Sequence, residues 1–167
     1  VLEMLLIAGL ISRAGGPEFS PAYWQRLQRM LEVLASVMDA GGHVPSIGDE
    51  DGAIAVTFAP EGISNPYRSV LATGAVMFGR ADLRCKAAEF DTQSRWLLGR
   101  EAAMRFEQLP ADAAGLPPRR AFEDGGWYVL GDRFETPDEV RLVADLGPLG
   151  YLGIAAHGHA DALACTL

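Results

Sequence analysis

The sequence predicts an α+β chain in two parts, paired helices over residues 1–110 and the strands of an antiparallel sheet over residues 121–167. Three observations predict it. Apolar residues of the first part recur at three- and four-residue steps, which is one face of a helix. Those of the second part alternate or form short apolar runs, as strands do. Between them, Leu109 to Pro118 is a connector of proline, alanine and glycine, and we read residues 111–120 as a linker. Helices followed by strands, without alternation, argue for separate layers or domains and against a βαβ fold.

Residues 1 to about 13 are apolar nearly all round (Leu2, Met4, Leu5, Leu6, Ile7, Leu10, Ile11) and read as a buried helix ended by Gly15-Gly16-Pro17. Ser20 reads as an N-cap with Pro21 at the first helical position. Trp24, Leu27, Leu31, Leu34 and Met38 then mark one helix face, and Gly41-Gly42 stops it. The two helices are expected to form an antiparallel hairpin. Asn65-Pro66 opens a third helix that closes at Gly79. Asp91 or Thr92 caps a short fourth one carrying Trp96, Leu97 and Leu98, with a helical continuation from Glu101 to Phe106.

In the second part, Trp127 to Leu130 reads as a buried strand. Glu139 to Leu146 alternates, with Val140, Leu142, Ala144 and Leu146 on one face and Arg141 and Asp145 on the other. Gly147-Pro148-Leu149-Gly150 turns the chain. Short strands are expected at Tyr151 to Ala155 and at Ala162 to Leu167.

Composition narrows the function. Apolar residues make up 49%, enough for a core, and the net charge is −8. Such a chain offers no phosphate-tracking surface, so nucleic acid is not an expected partner. Lys86 is the single lysine among 14 basic residues. The remaining arginines suit bidentate carboxylate recognition, although no arginine cluster marks a pocket. Cys85 and Cys165 have neither a zinc spacing nor a disulfide framework. No apolar run is long enough for a membrane span. The chain begins inside a helical pattern and ends in what reads as a strand, so we expect an internal piece of a longer protein.

Two stretches carry candidate chemistry. In His157-Gly158-His159-Ala160-Asp161, an extended backbone would project His157, His159 and Asp161 from one side, with small neighbours leaving that face open. Imidazole and carboxylate held together can bind a metal, move a proton, or do both. The plainer alternative is a polar strand end. The second stretch is His43 to Gly52, with Asp49, Glu50 and Asp51 between two glycines. Its acids do not follow the EF-hand pattern. It reads either as a turn in which aspartates bond their own backbone or as a substrate-facing loop.

In order and spacing, several pieces resemble the heparinase II/III-like proteins, which are polysaccharide lyases and their relatives. They are Tyr23-Trp24 and Arg29-Met30-Leu31, the loop Pro45 to Gly52, Phe122 to Leu130, and Gly147 to Gly150 followed by His157 to Leu163. The resemblance covers essentially the whole chain. It implies part of an (α/α) toroid followed by the first strands of an antiparallel β-sandwich. It also implies β-elimination on a uronic-acid polysaccharide, in a periplasmic or secreted enzyme. By the same resemblance His157 is the catalytic histidine of the sandwich, and His159 is a ligand of a structural zinc. Asp49 and Asp51 match the acidic loop and stand as substrate-binding residues. The family's toroid tyrosine and carboxylate-neutralising residue would precede Val1, and its other zinc ligands would follow Leu167. Tyr23 sits among packing residues and reads as structural.

Two further readings compete. A carbohydrate-binding relative would keep the lyase fold and lack catalysis. A metal-dependent hydrolase could use the H-x-H-x-D run, but Ala162 stands where the metallo-β-lactamase-like motif has a histidine.

Overall fold

A computed structural model describes residues 1–46, 52–58, 64–111, 120–147 and 164–167. Among them are six helices followed by four strands, an α+β arrangement. The chain divides into two compact units: Val1–Ala35 with Ile54–Pro117, and Ser36–Ala53 with Pro118–Leu167.

The first unit is helical. α1 (Leu2–Gly15), α2 (Pro21–Val37), α3 (Pro66–Phe78), α4 (Ala81–Ala87), α5 (Thr92–Leu98) and α6 (Glu101–Gln108) follow in order, the last residues of α2 belonging to the second unit. α3 is the central helix and touches α1, α4, α5 and α6. Every residue from Ser69 to Ala75 is buried, as expected for a helix surrounded by others. Its ends are locally encoded. The Asn65 side chain accepts hydrogen bonds from the backbone N–H groups of Tyr67 (3.0 Å) and Arg68 (3.1 Å). Pro66 occupies the first turn, and Gly79 closes the helix in the left-handed conformation, φ +65°. Thr73 donates to Ser94 Oγ, and Ser94 donates to the Ser69 carbonyl, each at 3.2 Å. The polar groups inside this packing are therefore satisfied.

α1 departs from expectation. Leu6, Gly9 and Ser12 are buried, but Met4 and Ile11 are exposed, so only one face of the helix is covered. Its meeting points with α2 converge on one turn of that helix. Tyr23 Oη donates to the Leu5 carbonyl, the Arg13 guanidinium lies 3.9 Å from the Trp24 ring centroid, and Gly9 faces both aromatic rings. A Cβ on Gly9 would stand 2.8 Å from the Trp24 ring, which requires glycine at this approach. Tyr23 is a packing residue, tilted against Phe19 and edge-on to Trp24. Arg80, at the start of α4, ties that helix to α2. It bonds both oxygens of Asp82 (2.7 and 2.6 Å) and reaches Glu32 at 2.9 Å.

The second unit holds the sheet. β1 (Ala121–Phe122), β2 (Trp127–Asp132), β3 (Val140–Asp145) and β4 (Ala164–Thr166) lie in the order β1-β2-β3-β4, each pair antiparallel. The long pair runs from Trp127↔Asp145 to Asp132↔Val140. Burial along β3 departs from a simple hydropathy reading. Arg141, Val143 and Ala144 are buried and Leu142 is half-buried, whereas Val140 and Leu146 are exposed. In β2 only Val129 is buried, and Leu130 is exposed. Arg141 turns inward because acceptors await it there, as described below.

Candidate functional site

Two regions of the second unit bracket the stretches singled out in the sequence. The first is the end of the sheet from which the histidine motif departs. Gly126, in the turn between β1 and β2, has φ +73°, and its carbonyl accepts from Leu146 N–H at 2.8 Å. A Cβ on Gly126 would lie 2.2 Å from the Gly147 Cα, and one on Gly147 would lie 2.3 Å from the Gly125 carbonyl oxygen. The turn and the exit of β3 meet backbone to backbone, which only glycine permits. Asp145 Oδ1 accepts from Gly147 N–H at 2.9 Å. Ala164, the first described residue after the motif, pairs with Asp145. Both flanks of the motif are thus held at one end of the sheet. His157 and His159 themselves lie outside the described residues.

The second region precedes the acidic loop. Asp39 and His43 form a closed turn: Asp39 N–H donates to the His43 carbonyl (2.9 Å), and Asp39 Oδ1 accepts from His43 N–H (2.7 Å). Asp39 Oδ2 meets His43 Nδ1 at 2.9 Å. Burial alone would raise the Asp39 carboxyl. The hydrogen bonds from the His43 backbone and ring, and from Gly42 N–H, hold it below its ordinary value. The carboxylate orients the imidazole, and the His43 side chain is 83% exposed. Nothing in the sequence reading singled out this pair, although the Asp-x-x-x-His spacing was visible. Asp49 and Asp51, farther along the same loop, lie outside the described residues.

Beside this turn the unit contains an open cavity of about 570 Å³, lined by Asp39, Glu135, Glu139 and Arg141 among others. Its chemistry is set by Arg141. That guanidinium bonds Glu139 Oε1 through Nε, Glu135 Oε1 through Nη2 at 2.8 Å, and the Ser36 carbonyl through Nη1. The Phe134 ring lies 4.9 Å from it. Glu139 also accepts from Ala40 N–H (2.8 Å) and Glu135 N–H (3.3 Å). The Arg141 and Glu139 side chains are only 4% and 5% exposed. Ser36 is in the last turn of α2, where Arg141 donates to its carbonyl. The arginine is consumed by this network. It ties the end of α2 and Ala40 to β3 and is not a receptor for an external carboxylate.

The sheet and its facing glycines lie in the stretch that matches a known family, and the Asp39–His43 turn lies outside it. Residues 114–167 match the family described as Heparinase II/III-like, C-terminal. No curated protein and no solved structure matches the chain. The matched heparinase II/III-like segment contains all four strands, the two facing glycines and the whole run from His157 to Asp161. Among the described residues, no group of three or more His, Cys, Asp or Glu could hold a metal ion, and Cys85 and Cys165 form no disulfide and are exposed. No helix among them is long and apolar enough to cross a membrane.

Proposed function

We propose that this chain belongs to a polysaccharide lyase that cleaves a uronic-acid polymer by β-elimination, with His157 carrying a proton in the reaction. The observation that carries this reading is the heparinase II/III-like match over residues 114–167, with His157-Gly158-His159-Ala160-Asp161 inside it. In β-elimination a base removes the C5 proton, the C4–O bond breaks, a C4=C5 double bond forms, and an acid returns a proton to the leaving oxygen. An imidazole can serve either transfer at neutral pH. The uronate must also be neutralised for C5 to become acidic. Arg141 does not supply that charge, because its guanidinium is buried and already paired with Glu135 and Glu139.

Asp49 and Asp51 contact substrate hydroxyls in this reading, since carboxylates facing the uronate itself would repel it. His159 is the position for a structural zinc. Among the described residues, no cluster of His, Cys, Asp or Glu adds to its shell. A toroid for the helices, a sandwich for the strands, boundaries at residues 110 and 121, and a periplasmic or secreted location complete the proposal.

The test is incubation with a panel of uronic-acid polysaccharides, following the ultraviolet absorbance of the unsaturated product, with His157→Ala alongside. A rise with one polymer that is lost in the variant supports the lyase. Polymer binding without any rise would favour the non-catalytic relative. New reducing ends without the absorbance would favour a hydrolase.

A further inference from the structure

The helical unit exposes an aromatic surface that its own packing does not use. Trp96, on α5, is 70% exposed, and Phe58 beside it is 42% exposed. Their rings are stacked, with centroids 5.9 Å apart and planes inclined by 26°. An indole this exposed is unusual for a residue that is mostly buried in folded proteins. The pair is also held in place. Glu3 accepts from Ala55 N–H at 2.8 Å and from Gln93 Nε2 at 2.7 Å. Gln93 is buried on α5, three residues before Trp96. The segment bearing Phe58 is therefore fixed to α5 at two points, through Glu3 and through the ring stack. Such a surface is preorganised and loses little freedom when it is covered.

Its charge surroundings choose among occupants. Arg95 and Arg100, adjacent in sequence to Trp96 and just past the end of α5, are exposed and make no ion pair with the described residues, although the Arg95 guanidinium lies 5.8 Å from the Phe90 ring centroid. In a chain of net charge −8, arginines beside an exposed indole favour an anionic ligand. The apolar C–H face of a pyranose ring suits a flat, polarisable aromatic face, and its carboxylate or sulfate suits guanidinium.

We propose that Trp96, backed by Phe58 and flanked by Arg95 and Arg100, is a stacking platform for a sugar ring of an acidic polysaccharide. The platform rests on the polysaccharide reading above but needs none of its catalytic residues. It binds polymer and does not take part in proton transfer.

The experiment is electrophoresis of the chain through gels containing heparin, alginate, polygalacturonate or uncharged dextran. Trp96→Ala, Trp96→Tyr and His157→Ala are run beside the parent. We expect retardation by an acidic polymer and not by dextran, weakened about tenfold in Trp96→Ala and kept in Trp96→Tyr. His157→Ala should be retarded like the parent. Equal retardation of Trp96→Ala and the parent overturns the platform, as does retardation by none of the polymers. Sedimentation of the same variants adds a further check. A dimer that dissociates in Trp96→Ala means that a second copy covers the indole, and this too overturns the proposal. The ultraviolet assay separates the two readings. Trp96-dependent retardation without unsaturated product leaves the platform standing and removes the lyase. Product formation with retardation indifferent to Trp96 does the reverse.

Discussion

Replacing Arg141 by methionine removes a guanidinium while keeping most of the side-chain volume. Glu139, only 5% exposed on its side chain, is then left with the Ala40 and Glu135 N–H groups and no countercharge. Breaking one partner of a buried pair costs about 3–5 kcal/mol, because the remaining charge stays away from water. The Ser36 carbonyl also loses its partner, although a helix end can recruit water instead. Taking about 4 kcal/mol as the central value, the loss is a large share of the roughly 5–15 kcal/mol that holds a domain folded. Native-state hydrogen exchange resolves it by region. Amides of the β2–β3 ladder, such as those of Val129 and Val143, should lose protection by roughly two to four powers of ten. Those in the middle of α3 report separately on the helical unit. Adding Glu139→Gln removes the stranded charge and keeps an oxygen for Ala40 N–H, so the double variant should recover at least half of the loss. A ladder that loses less than tenfold protection, or a double variant no better than the single one, would refute the account of Arg141 as a buried, charge-compensated clasp.

Three further outcomes follow from local geometry. Asn65→Ala removes the acceptor for Tyr67 and Arg68 N–H and should lower stability by about 1 kcal/mol in urea unfolding, with Asn65→Asp close to the parent. Gly126→Ala places a methyl against the Gly147 backbone at a positive φ, so it should destabilise the sheet by more than the roughly 1 kcal/mol of an ordinary glycine replacement, read as lost β2–β3 protection. Burial would raise the Asp82 carboxyl, but the Arg80 hydrogen bonds and charge hold it below its ordinary value. With its folded pKa depressed, Asp82 contributes stability above its unfolded pKa of about 3.9 and loses it as pH falls through the folded value. Acid titrations of stability should therefore be shallower in Asp82→Asn than in the parent below about pH 4.

The helices with side-chain caps were legible because their signals are local, Ser20 at the start of α2 among them. Asn65-Pro66 and Gly79 bound α3, and Asp91 and Gly99 bound α5, each through groups within three or four residues of the backbone they satisfy. α4 carried no such signal. Its N-cap Arg80 makes no side-chain cap bond, and its seven residues are too few to show a period. The chemistry-bearing motif from His157 to Asp161 was equally plain in sequence, because imidazole and carboxylate at two-residue spacing need no tertiary information to be noticed. Tertiary structure decided which faces are covered. Met4 and Ile11 read as core and are exposed, because burial depends on what packs against a helix and not on its composition. Arg141 was read only as lying opposite Val140 and Leu142, and it is the buried one. Its acceptors come from Glu135, Glu139 and the distant carbonyl of Ser36, and hydropathy along a strand carries no record of partners that the fold brings from a hundred residues away.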